Sequence, residues 1–243
     1  MISNFLLDIL FPKNCLGCNA ENYYICPDCL KQIALNDYPS CYLCAKRSPG
    51  HATCPDCRYK THLDGIIVAN KWENELFKKL IYEYKYRFVK EIGKELSKTL
   101  INYLNKQEST LININKYKSI LPVPQNDIIF TFVPLHPRRE YWRGFNQSAF
   151  LAKELNNYFN WPMVNLLKRI KNTLPQAEIK KQSARTQNIA NAFKLIDENL
   201  SLKNKTIIIV DDVFTTGATL EQCAKTIKSL QPKEIWGLVL ARG

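Results

Sequence analysis

"KTIIIVDDVFTTGATLEQC", Lys205 to Cys223, decides how the fold is read. Thr206 to Val210 are all β-branched, which predicts a strand buried on both faces. On this reading the strand stops at Val210, "DDVFTTGA" is a loop, and "TLEQCAKTIKSL" is a helix with apolar residues at three- and four-residue steps. Cys223 stands three residues from both Leu220 and Thr226 on that helix, a core position for a small apolar side chain. In a parallel α/β sheet, ligands lie where strands end and loops lead into helices. The backbone N–H groups of Thr215, Thr216, Gly217, Ala218 and Thr219, with the threonine hydroxyls, are suited to ring a phosphate at the helix start, and Gly217 permits the turn. Asp211 and Asp212 would repel that phosphate, so they require hydroxyls or a divalent cation. A ribose bearing a 5′-phosphate meets both demands.

Outward from this unit the pattern repeats. "GIIVAN", "DIIFTFVP", "VNLLKRI" and "EIWGLVLA" read as strands; "ENELFKKLIYEYKY", "VKEIGKELSKTLINYL" and "NQSAFLAKELNNYF" read as amphipathic helices. Alternation of the two predicts an α/β fold over residues 61–243, a parallel sheet with helices on both faces. The polar, proline-bounded "NKQESTLININKYKSILPVPQN" reads as a loop or insertion, and no internal repeat is evident.

Residues 1–60 are different in kind. Eight of the nine cysteines fall there as four Cys-x-x-Cys pairs, "CLGC", "CPDC", "CYLC" and "CPDC". Such spacing belongs to metal ligands rather than to a disulfide framework. Taken in order, Cys15, Cys18, Cys26 and Cys29 would hold one Zn²⁺ and Cys41, Cys44, Cys54 and Cys57 a second, each a closed structural site. Interleaved pairing is the alternative. Metal would supply the stability that a sixty-residue module cannot draw from its own core. His51 and His62 read as surface loop residues rather than further ligands.

The 243 residues carry a formal charge of +12. Residues 1–60 hold six Lys/Arg and five Asp/Glu; the remaining residues hold 28 and 17, so the basic excess belongs to the second part and favours polyanions. No run approaches the ~18 apolar residues of a membrane span, which predicts a cytoplasmic protein. "FLLDILF" at the N-terminus would either touch a membrane surface or, preferably, pack on its own domain. Lys85 and Arg87 close a helix, where cations complement the dipole or meet substrate. Tyr82, Tyr84, Tyr86, Tyr141 and Trp142 flank basic residues and would stack on unpaired bases or serve as helix contacts.

"IIIVDDVFTTGAT" resembles the phosphoribosyl pyrophosphate (PRPP) motif of type I phosphoribosyltransferases. "VPLHPRREYWRGFNQSAFLA", Val133 to Ala152, is similar to the hallmark of the ComF (ComFC) competence family, as are "LLDILFPKNC", "YEYKYR", "PQAEI…RTQNIANAF" and "LVLARG". The resemblance implies a double zinc ribbon over 1–60, hence sequential use of the cysteines, and a phosphoribosyltransferase-like domain over 61–243. It implies a protein of natural transformation that binds PRPP or a ribose-5-phosphate moiety and assists the handling of incoming single-stranded DNA, in contact with the uptake machinery at the inner membrane. The alternative is an active transferase of nucleotide metabolism acting on PRPP with Mg²⁺. In either case His136, Arg138 and Arg139 follow a strand, where guanidinium forks suit pyrophosphate, with Arg143 opening further contacts. The catalytic set would be Asp211, Asp212, Arg138 and Arg139. Arg185 and Asn188 match an Arg-x-x-Asn that looks like part of a loop over the site, although this chain has an extra residue before Arg185. A thiol redox protein would use only the Cys-x-x-Cys pairs, and tight zinc would dispose of it.

Overall fold

The computed structural model describes residues 13–112, 127–173 and 187–243. "FLLDILF", most of the polar stretch before Asp127, and Arg185 lie outside the described residues.

The strands are β1 (Gly65–Asn70), β2 (Ile128–Phe132), β3 (Leu167–Arg169), β4 (Phe193–Leu195), β5 (Thr206–Phe214) and β6 (Glu234–Arg242). Four of them form one parallel sheet in the order β1-β6-β5-β2. Its central strands are apolar on both sides, as a sheet covered on two faces requires. "VNLLKRI" does contain a strand, but β3 pairs antiparallel with β4 in a separate two-stranded ribbon. Only three residues of each belong to it, and both alternate buried, exposed, buried, which fits a ribbon with one covered face.

The helices are α1 (Pro27–Lys31), α2 (Pro55–Arg58), α3 (Glu75–Tyr86), α4 (Ile92–Ile112), α5 (Pro137–Arg143), α6 (Gln147–Phe159) and α7 (Ala218–Ile227). α3 begins where the Asn74 side chain accepts from the Phe77 amide at 2.9 Å, and it buries Phe77, Leu80, Ile81 and Tyr84 at helical spacing. These residues join those of α4 and α6 against Ile67, Ile208, Val210 and Leu238 on one face of the sheet. α7 and the β3–β4 ribbon cover the other face over Ile66, Ile207, Ile209 and Val239. α4 runs to Ile112, past the expected loop start at Asn105, because "NKQESTLI" contains no glycine or proline to stop it.

The cysteine-rich part holds a repeat that the sequence reading did not register. An antiparallel bridge, Asn14 with Glu21, encloses the first Cys-x-x-Cys, and another, Ser40 with Arg47, encloses the third. Asn19 and Ala45, each just after the second cysteine of its pair, take matching left-handed φ values of 62° and 60°. Each "CPDC" then opens a single helical turn with proline in its first turn, α1 and α2. The module does not stand apart from the sheet. Cys15, Ile25, Cys29 and Ile33 share a core with α3, and Ala52 bridges Gly65 at the start of β1.

Candidate functional site

Cys15, Cys18, Cys26 and Cys29 form one group and Cys41, Cys44, Cys54 and Cys57 another, the four sulfurs of each lying within 4.8 Å of one another. The Sγ atoms of Cys18 and Cys26 are 3.6 Å apart, as are those of Cys44 and Cys54. Zinc about 2.3 Å from each thiolate gives tetrahedral edges of about 3.8 Å, so these sulfurs are spaced as ligands of a single ion. The geometry selects the sequential partition over the interleaved one. Both groups supply all four ligands from protein, which suits structural zinc and leaves no position for a reacting water.

The strand that carries the acids is longer than its sequence pattern predicts. β5 continues through Asp211, Asp212, Val213 and Phe214 because β6 continues beside it: Asp211 pairs with Val239, Val213 with Ala241 and Phe214 with Arg242. The acids therefore lie on the strand rather than in a loop, and the turn begins at Thr215. Successive side chains on a strand diverge. Asp212 points to α3, where Lys85 Nζ donates to its Oδ1 at 2.8 Å. Asp211 Oδ1 accepts from Ser148 Oγ at 2.7 Å, at the start of α6.

Asp211 and Thr215 to Thr219 line one cavity of about 540 Å³, with Lys85, Tyr82 and Tyr86 of α3 on its wall. Gly217 caps α7 with φ 80°, a left-handed conformation that suits glycine. Among the described residues, the N–H groups of Gly217 and Thr219 meet no acceptor; the Glu221 amide instead donates to Gly217 O at 2.9 Å. Two unspent donors, a helix start and neighbouring hydroxyls make a place for an oxyanion.

Charge is distributed unevenly around this cavity. Burial pushes the Asp211 carboxyl up to about 7, and the Asp212 carboxylate adds to the rise. Lys85 is the counterweight: burial works against its charge, but the Asp212 and Asp211 carboxylates prevail and hold it above the ordinary lysine value. The pair of acids thus presents less negative charge to a phosphate than two free aspartates would.

The arginines gather on a second element. "PRREYWR" forms α5, a short helix with Pro137 in its first turn and Gly144 at its end, which the sequence reading did not assign. His136 is spent as its cap, its ring accepting from the Arg138 amide at 3.3 Å. Arg138 is exposed, and Arg139 donates to the Thr173 carbonyl. Arg143 Nη1 donates to Gln147 Oε1 at 3.2 Å. None of these four lines the cavity beneath the threonine turn. Arg139 shares Thr173 with a residue that sequence reasoning missed, Arg169 of β3, which is buried, bonded to the Thr173 hydroxyl, and also outside the cavity lining. Burial, with the charges of Arg139 and Arg143 beside it, lowers the Arg169 guanidinium to about 10, while Asp211 acts to raise it. Within this cluster Arg143 Nε, Gln147 Nε2 and Arg169 Nε are buried without an acceptor among the described residues. The adjacent charges Lys168 and Arg169 in "NLLKRI" were the available sign, and a stretch read simply as a strand gave no reason to weigh them.

Other expected residues are scattered. Arg87 is exposed and 3.8 Å from Glu83. Asn188 is half-buried near the β3–β4 ribbon and does not line the cavity, and Arg185 lies outside the described residues. Ser148, also missed, is one of a run of polar residues at a helix start, and its sequence signal reads as capping. Cys223 is buried in the core of α7, where burial and the Asp211 charge push its thiol well above the usual range. Tyr84 is likewise buried, its hydroxyl donating to Gln147 O at 2.8 Å. Tyr82, Tyr86, Tyr141 and Trp142 are exposed.

Residues 6–58 match the double zinc ribbon domain, and residues 146–243 match the phosphoribosyl transferase domain. Competence protein F of Haemophilus influenzae is 28% identical over 95% of this chain and 98% of its own length. Competence protein ComFC of Bacillus subtilis is 27% identical over 84% of this chain and 77% of its own. The DNA utilization protein YhgH of Salmonella typhi is 26% identical over 84% of this chain and 90% of its own. No helix among the described residues is long and apolar enough to cross a membrane.

Proposed function

The chain is a homologue of competence proteins F and ComFC that carries a double zinc ribbon and a phosphoribosyl transferase domain, and we propose that it binds a ribose 5-phosphate group, as in PRPP, while handling single-stranded DNA during transformation. The observation that carries this reading is the shared cavity: an acid from the strand end, a turn with unspent amides, and a half-buried lysine on one wall. The phosphate sits on Thr215 to Thr219, and Asp211 receives the ribose hydroxyls. Asp212 acts one step back, holding Lys85. Exposed Tyr82 and Tyr86, with ring centroids 5.2 Å apart at the mouth of the cavity, offer a stacking surface to an unpaired base. The basic excess of residues 61–243 draws the strand, the zinc module over residues 1–60 braces the domain, and the protein works in the cytoplasm beside the uptake machinery.

Catalysis is the second reading, favoured by the arginine cluster. Arg169 lies within electrostatic reach of Asp211, Arg139 and Arg143, and the buried Nε–H groups of Arg143 and Arg169 meet no acceptor among the described residues, an arrangement that would take the charge of departing pyrophosphate. In that transfer the bond from C1 of ribose to pyrophosphate breaks, the leaving group takes the electron pair, and the acceptor nitrogen or oxygen bonds to C1 and loses its proton. Mg²⁺ on the pyrophosphate would supply further neutralisation. In this reading Arg185 and Asn188 would contact pyrophosphate.

Titration calorimetry with PRPP and Mg²⁺ tests the first reading. Micromolar binding that falls tenfold or more in Thr216→Val and Asp211→Asn supports it; no binding by the zinc-loaded protein refutes it. Pyrophosphate release from PRPP that depends on an added base would establish the second.

A further inference from the structure

The two cysteine clusters have different neighbours. The first shares the core beneath α3, and Gly17 beside it lies so close to Leu76 that a Cβ there would stand 3.0 Å from that side chain. The second reaches across to the threonine turn. Tyr42 follows Cys41, is buried, and packs edge-on to Phe214 with ring centroids 6.4 Å apart. Its ring covers the back of the turn: a Cβ built on Gly217 would stand 3.2 Å from Tyr42 Cε2. From the other end of the cluster, the chain leaves α2 and arrives at Thr61 and His62, which hold the first turn of α7. Thr61 Oγ1 donates to Glu221 Oε2 at 2.5 Å, and the His62 amide donates to Glu221 Oε1 at 3.0 Å. His62 Nδ1 lies 2.5 Å from the same Oε1. The Tyr42 hydroxyl closes the loop by bonding to Thr61.

Glu221 is hydrogen-bonded through its own amide to Gly217 O, so whatever fixes this carboxylate fixes the turn. A left-handed glycine between Thr216 and Ala218 has conformational freedom that must be suppressed if the amides of the turn are to stay aimed at one anion. The back of the turn is closed by a residue adjoining one cysteine ligand, and its helix is tied by residues a few positions beyond another. This is more than generic packing, because both anchors arise from the same cluster and converge on the same turn.

We infer that Tyr42, Thr61 and His62 are positioning residues that make the second cysteine cluster a brace for the phosphate turn, so that metal held by Cys41, Cys44, Cys54 and Cys57 and anion held by Thr215 to Thr219 favour one another. The inference rests on the phosphate reading above. Coupling between two sites is reciprocal. An anion on the turn must therefore retain metal in the second cluster, and loss of the brace must weaken the anion.

The test uses full-length zinc-loaded protein and ribose 5-phosphate. In the wild type, saturating ligand should slow chelator-driven release of one of the two zinc equivalents at least fivefold and leave the other unchanged. Tyr42→Ala should lose ribose 5-phosphate affinity tenfold or more while retaining two zinc equivalents, and should lose the protection. Tyr42→Phe, which keeps the ring over Gly217, should recover most of both. Glu221→Gln, a milder change at the other anchor, should weaken binding and protection together and serves should Tyr42→Ala not fold. Wild-type protein that does not bind ribose 5-phosphate overturns the phosphate reading and this inference with it. Wild-type binding with variants of equal affinity and no ligand effect on zinc release overturns the brace alone.

Discussion

Lys85 and Asp212 show how one ion pair shapes the site. The Asp212 side chain is 9% exposed and that of Lys85 21%, so neither charge is well solvated without the other. Removing the lysine strands a buried carboxylate. Lys85→Met should therefore destabilise the fold by about 3–5 kcal/mol in urea unfolding, whereas Lys85→Met with Asp212→Asn should recover most of that loss. Additive losses in the double variant would show that the pair carries no special weight. Asp211 makes a separate prediction. Folded, its carboxyl titrates at about 7; unfolded, an aspartate titrates at about 4. Between those values the folded chain binds the extra proton, so Asp211 lowers stability as pH rises from about 4 to 7 and its penalty is complete above that. Asp211→Asn cannot ionise and escapes the penalty. Calorimetric melting from pH 5 to 8 should show the wild type losing melting temperature relative to the variant; parallel curves would contradict the raised value.

Most elements were legible because their sequence periods are unambiguous. The β-branched runs of β1, β2 and β5 and the apolar stripes of α3 and α6 lead directly to a covered parallel sheet. The failures have a common cause, since each depended on a partner distant in sequence. β5 runs on through two aspartates because β6 offers backbone partners there, and nothing in "DDVF" itself announces this. β4 and α5 are too short for a period to emerge. Arg169 enters the site only because β3 and β4 fold over α7. The turn itself was legible, since threonines and glycine after a buried strand have few other uses. The seam between module and sheet was not, and it yields a prediction. A Cβ on Gly65 would stand 2.4 Å from the His51 carbonyl oxygen and 2.4 Å from Trp236. Backbone blocks the first direction and a buried ring the second. Gly65→Ala should cost about 1–3 kcal/mol by strain at the Ala52–Gly65 bridge, seen as a lower urea midpoint, with two zinc equivalents still bound. A neutral outcome would mean that the module pivots freely on β1.

Taken together, the molecule assigns its two chemistries to different surfaces. The cysteine clusters lie in the module, the threonine turn lies at the strand ends, and α3 borders the cavity with Lys78, Lys79, Tyr82 and Tyr86 at its wall. A strand drawn in by the basic domain would meet lysines and half-exposed rings on one helix, so electrostatics and stacking should separate by mutation. Each phosphate neutralised on a single strand contributes about −0.7 to the slope of log K against log salt. Anisotropy with a labelled oligothymidine should show a slope of about −2 or steeper, and Lys78→Ala with Lys79→Ala should flatten it by about 1.4. Tyr82→Ala with Tyr86→Ala should instead weaken binding about tenfold at fixed salt and leave the slope unchanged, because stacking is worth about 1–3 kcal/mol per base and releases no counterions. If the tyrosine variant changes the slope, or the lysine variant changes neither slope nor affinity, the strand does not follow α3. A PRPP-saturated sample distinguishes the remaining geometries: competition places the strand in the cavity itself, and undiminished DNA binding places it along the outer side of the helix.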